Sequence, residues 1–226
     1  MDRVSFQETS QVRVNSFLQS VYNWMAIGLA LTAVFAYIFS EIIFLPPALF
    51  FVLAIGQLGI VFYLSARISK LEASTATSLF MFYAALNGVT LGWIVSAYTT
   101  ASVAAAFIVC SATFAVTSVF GMVTKKDLTG VGNFMMMGLI GIIIASIVNI
   151  FLASSTIFWI VNYVGVIVFV GLTAYDTQKI KEMALSQPAD LDNSAIRKGA
   201  ILGALTLYLD FINLFIMMLR IMGDRE

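Results

Sequence analysis

Between Asp127 and Asp176 no residue carries a charge. A helix crosses a bilayer core of about 30 Å with about 20 mainly apolar residues, so this run is long enough for two crossings, divided by the short connection 153–156. The same reasoning divides the whole chain. Spans are predicted near 21–40, 45–65, 75–97, 102–123, 131–152, 157–177 and 199–221. Composition agrees: 61% of the 226 residues are hydrophobic and 11% charged, against roughly 45–50% apolar and about 25% charged in soluble domains. The expected fold class is all-α, a polytopic membrane protein with seven transmembrane helices. Residues 21–226 form one integral membrane domain, preceded by the segment 1–20.

That segment, MDRVSFQETSQVRVNSFLQS, mixes charges and has no short apolar core before a cleavage site, so no cleavable signal is expected and the first span serves as its own insertion signal. Its apolar positions Val4, Phe6, Val12, Val14, Phe17 and Leu18 suit an amphipathic helix lying at the membrane surface. Net charge is zero, which gives no nucleic-acid footprint. The chain has no His and a single Cys, Cys110, inside an apolar run. That leaves no disulfide, no zinc site of His/Cys type and no imidazole mechanism, and no cofactor is expected.

Cytoplasmic connections carry an excess of Lys and Arg. Ten of the twelve basic residues fall in the N-terminal segment and in the connections after spans two, four and six. The N-terminus and those connections are therefore predicted cytoplasmic. Arg220 and Arg225 follow span seven, which would place them on the opposite side. A full seventh crossing is favoured over a re-entrant one because the last stretch is long enough.

Asp210 is the one charge inside a span and away from its ends. An ionised group at a helix centre costs about 2.5–3.5 kcal/mol on insertion scales, so it faces protein or a water-filled cavity and marks a functional site. Helical spacing puts Gly199, Gly203, Thr206, Asp210, Asn213 and Met217 on one face. Comparable small and polar stripes run along span six (Asn162, Gly165, Phe169, Thr173, Asp176) and span five (Gly138, Gly141, Ala145, Asn149). Stripes of this kind also serve plain helix packing. Asp176, at the end of span six, has two readings. It can pair with Lys179 one turn on, or it can meet Asp210 through antiparallel packing of spans six and seven. Two carboxylates in one poorly solvated site cannot both ionise cheaply, and such a pair holds one proton between them near neutrality.

Four stretches carry a family resemblance: ALNGVTLGWI in span three, SATFAVTSVFGMVTKKDLTG across span four and its following connection, GLTAYDTQKIK closing span six, and LYLDFINLFIMMLRIMG in span seven. Through them the chain resembles the bacterial members of the Bax inhibitor-1 family over all seven spans. The resemblance implies a fold whose last helix is surrounded by the other six, and a pH-regulated calcium leak in which calcium is the transported ion. It implies that Asp176 and Asp210 are the paired-carboxylate pH sensor, with calcium as a contact, and that Arg67 is the basic partner at the end of span two. Lys70 competes with Arg67 for that role. Thr173, Thr206 and Asn213 are the expected supporting polar groups. The stretch between Asp176 and Asp210 is longer than in compact members, and about 180–197 is expected to form a mobile cytoplasmic connection with Asn193 or Ser194 as a helix cap. The resemblance and the absence of an N-glycosylation sequon suit a bacterial inner membrane.

Two other classes fit parts of the sequence. A non-conducting regulator of another membrane protein, such as a protease, would use the 180–197 connection and the N-terminal segment. An intramembrane aspartyl protease would use Tyr175-Asp176, but Leu207-Tyr208-Leu209 stands where a GxGD motif is needed and no later Pro-Ala-Leu motif follows, so catalysis is not expected. Met135, Met136 and Met137 point successively around a helix and read as packing or lipid surface. Trp24, Trp93 and Trp159 read as interface or packing residues.

Overall fold

The structure is a computed structural model that describes residues 3–42, 46–188 and 191–225. Seven helices follow one another: α1 Arg3–Ile42, α2 Pro47–Arg67, α3 Ala73–Val95, α4 Thr100–Val123, α5 Thr129–Leu152, α6 Ser155–Ser186 and α7 Asn193–Met222. Each holds a stretch long and apolar enough to cross a membrane. The chain is an all-α polytopic membrane protein. Among the described residues the one β-type contact is an isolated antiparallel bridge between Tyr98 and Arg225.

Several helices outrun the apolar stretches that mark them. α1 begins at Arg3, so the segment before the first span is helical and continuous with it; Val14 and Phe17 are buried, while the side chains of Val4 and Phe6 lie outside the described residues. α6 continues to Ser186 because the residues after Asp176 are good helix formers and no proline intervenes before Pro188. The connection expected over 180–197 therefore shrinks to 187–192, and the Asp192 carbonyl accepts from Ile196 N at 3.1 Å, one residue before the expected cap. The last segment is one uninterrupted 30-residue helix.

The contacts divide the chain into two compact units, Met1–Ala97 with Lys181–Tyr208, and Tyr98–Ile180 with Leu209–Glu226. In the first, glycines let α3 close on α1. A Cβ at Gly88 would come 2.6 Å from the Thr32 carbonyl oxygen, and one at Gly92 would come 2.7 Å from that of Ala36. This is the spacing at which small residues allow close helix approach, and it gives a steric reason for the ALNGVTLGWI stretch. In the second unit Gly121 packs on the Ala174 carbonyl, Gly132 on the Tyr175 ring and Gly165 on Met217. α5 ends at Ala153, which adopts the left-handed conformation (φ 46°), and Ser154 N donates to Asn149 Oδ1 at 2.9 Å. Asn149 thus closes its own helix end rather than facing a neighbour.

Burial separates the helices. In α7 72% of the apolar window is buried, against 6% in α5. Leu205, Leu207, Tyr208, Phe211, Ile212, Leu214, Phe215, Met218 and Leu219 are buried along with Asp210. The stripe expected to face inward is thus only part of what α7 buries.

Candidate functional site: a carboxyl pair between α6 and α7

Within the second unit α6 and α7 run antiparallel. Asp176 meets Asp210, Gly165 meets Met217, and the ring of Phe158 near the start of α6 meets Arg220 near the end of α7. Asp210 is 4% exposed and Asp176 is half-buried.

The residues around Asp176 fix α6 to its neighbours. Ala174 packs against Gly121, and the Tyr175 ring against Gly132. Thr177 Oγ1 and Ser118 Oγ lie 3.1 Å apart. Gln178 accepts from Leu128 N at 2.8 Å and donates to the Lys126 carbonyl at 2.9 Å, so its amide satisfies two backbone groups of the α4–α5 connection. In that connection Asp127 Oδ1 accepts from Thr129 N at 2.8 Å. These bonds to Thr129 hold the exposed Asp127 carboxyl below its ordinary range. Asp176 is left to turn toward α7.

The two carboxyls lie beside each other where α6 meets α7. An ionised carboxylate only accepts, so a bond between two of them requires a proton on one. Asp210 Oδ2 is buried without a partner among the described residues. Thr173 Oγ1 donates to Phe169 O at 2.7 Å, Thr206 Oγ1 to Leu202 O at 3.1 Å and Asn213 Nδ2 to Leu209 O at 2.8 Å. Each threonine therefore spends its single hydroxyl proton on its own helix. Thr173 and Thr206 contribute bulk and lone pairs rather than donors, while Asn213 keeps a second amide N–H. Lys179, one turn on from Asp176, has its Nζ 5.7 Å from the Tyr175 ring centroid.

Arg67 ends α2 in the first unit with its side chain exposed, and its carbonyl accepts from Lys70 N at 2.8 Å. Among the described residues no group of three or more His, Cys, Asp or Glu could hold a metal. Calcium takes six to eight oxygen ligands, and two carboxylates supply at most four. Two carboxylates alone therefore do not complete a calcium cage.

A polar network in the first unit escapes sequence reasoning. Asn87 Nδ2 donates to Tyr208 Oη at 2.9 Å, Tyr208 Oη lies 2.6 Å from Thr32 Oγ1, and Thr32 Oγ1 is 2.9 Å from the carbonyls of Gly28 and Ala84. Because the Thr32 proton goes to a carbonyl, Tyr208 must donate to Thr32. Gln57 Nε2 donates to Thr90 Oγ1 at 3.1 Å, and Thr90 to Asn87 O at 2.9 Å, which ties α2 to α3. The signal was present as polar residues in apolar stretches, but each partner lies on a different helix. The remaining expectations are placed simply. Cys110 is fully buried with its thiol 3.7 Å from Phe211 O, Met136 and Met137 are exposed, Trp93 packs on Phe50, and Trp24 lies under Arg197.

Comparison with known proteins gives a consistent result. Residues 14–226 match the family model described as "Inhibitor of apoptosis-promoting Bax1". The chain is 50% identical over 219 residues to the "Inner membrane protein YbhL" of Escherichia coli K12, covering 94% of this chain and 93% of that one. It is 42% identical to a protein of Borreliella burgdorferi, covering 97% of each, and 40% identical to one of Deinococcus radiodurans, covering 97% of this chain and 95% of the other.

Proposed function

The chain belongs to the Bax inhibitor family of membrane proteins, and from that premise we propose that it is a pH-sensitive calcium leak of a bacterial inner membrane, gated by Asp176 and Asp210. The observation that carries the reading is the apposition of two carboxyls, one of them buried with its Oδ2 lacking a partner among the described residues. With one shared proton the bond holds α6 to α7 and the path is closed. When the proton leaves, attraction becomes repulsion between like charges in a poorly solvated site, and the carboxylates become hard oxygen ligands of the kind calcium prefers. The closed state binds one proton more than the open state, so rising pH favours opening.

The distribution of Lys and Arg supports a cytoplasmic N-terminus, and the inner-membrane location follows the Escherichia coli relative. The deciding experiment is calcium uptake by proteoliposomes across a pH series, for the parent and for Asp176→Asn. Uptake that rises with pH in the parent and is flat in the variant is expected. A parent that conducts no calcium at any pH would replace the leak with the non-conducting regulator.

A further inference from the structure

Arg220 and Arg225 stand apart from the ten basic residues of the other connections. In the second unit both guanidiniums are held against one ring, each 5.9 Å from the Phe158 centroid, and Arg225 also lies 5.6 Å from that of Tyr98. Arg220 is half-buried, and the charged and titratable groups acting on it are Tyr98 and Arg225. Two like charges thus share one aromatic ring, and among the described residues no carboxylate pairs with either.

The tail cannot easily swing Arg225 away. Thr99 N donates to Asp224 O at 3.1 Å, Asp224 N donates to Ser102 Oγ at 2.9 Å, and Gly223 N donates to Leu219 O at 2.8 Å. Asp224 is anchored by its backbone, and its side chain is exposed. Holding two cations together in this way favours an anion that both can grip. A phosphate suits them best, since the planar guanidinium donates in pairs to its oxygens.

The position indicates where that phosphate comes from. The pair sits at the end of the apolar stretch of α7 and at the start of that of α6, the level at which headgroups and interfacial aromatics lie. Beside Phe158 on α6, Trp159 and Ile160 are 42% and 57% exposed, and Tyr163 stacks on Trp159 at 6.0 Å. That is an aromatic and apolar surface on which an acyl chain can lie. We propose that Arg220 and Arg225 form a clamp for the phosphate of an anionic phospholipid, with Trp159 and Ile160 as the bed for its chain. The clamp would also let two arginines remain on a face otherwise free of basic residues.

The test titrates phosphatidylglycerol into the full-length protein in zwitterionic detergent and reads bound lipid by native mass spectrometry and the shift in Tm. Phosphatidylcholine and inorganic phosphate are run alongside. Phosphatidylglycerol is expected to bind and raise Tm, and R220Q/R225Q is expected to lose about tenfold or more in affinity. K125Q/K126Q, which removes the same charge elsewhere, should lose about twofold or less. R225Q alone, at an exposed residue, should lose severalfold and guards against a misfolded double variant. Equal weakening by the lysine pair, equal binding of phosphatidylcholine, or inorganic phosphate binding as well as the lipid would each overturn the proposal.

Discussion

Asp210→Asn separates the proton from the bridge it makes. An asparagine amide can donate to the Asp176 carboxylate without any proton from solvent, so the contact between α6 and α7 survives while its titration does not. The substitution should therefore fix the closed state, with calcium uptake flat across pH at the parent's acidic level. Asp210→Ala removes the bridge instead. A hydrogen bond to a charged group contributes about 1.5–3 kcal/mol, and each 1.36 kcal/mol is tenfold. The alanine variant should thus conduct at acidic pH about ten to a hundred times faster than the parent. The parent itself should show up to about a tenfold change in the open-to-closed ratio per pH unit near its midpoint, as one linked proton requires. The assay is dye-reported calcium uptake by proteoliposomes at matched protein density. An asparagine variant that titrates with the parent's slope, or an alanine variant still closed at acidic pH, would refute the reasoning.

Four further outcomes follow from the geometry. Tyr208→Phe strands Asn87 and Thr32 in a buried site and should cost about 1–3 kcal/mol, read as a lower Tm in detergent with the midpoint of calcium uptake unmoved. Gly121→Ala drives a methyl into the Ala174 carbonyl and should lower Tm by several degrees, whereas Gly141→Ala meets nothing within 4 Å and should leave it unchanged or raised. Gln178→Ala leaves the Leu128 N–H and Lys126 C=O without partners and should speed amide exchange at Leu128 in particular. The Asp127 carboxyl, held below its ordinary range by Thr129, stabilises the start of α5 above about pH 3.9; that contribution is lost as pH falls through its lowered value, so the Thr129 amide should change its exchange rate only in strongly acidic buffer.

Asp210 was legible because hydropathy makes a lone charge in a span conspicuous, and the seven spans were legible because a bilayer imposes their length. The ends of α1 and α6 were not. Hydropathy marks where a helix meets lipid, whereas backbone propensity decides where it stops, and the polar residues between Asp176 and Pro188 are good helix formers. The stripe on α7 follows from helical spacing, but periodicity shows which residues share a face and says nothing of what covers the opposite one. Thr173 and Thr206 turn their hydroxyl protons, and Asn213 one amide N–H, to carbonyls of their own helices, a choice set by local geometry. The Asn87, Tyr208 and Thr32 network stayed hidden because its partners are 121 and 176 residues apart.

That network also constrains how relatives of this protein can diverge. Removing one member of a buried hydrogen-bonded set strands its neighbours, whereas replacing all of them with apolar groups of similar shape can be nearly neutral. Positions 32, 87 and 208 are therefore epistatic. A lineage leaves this arrangement by concerted change or through a weakened intermediate, and each residue, viewed alone, tolerates less variation than its chemistry would suggest.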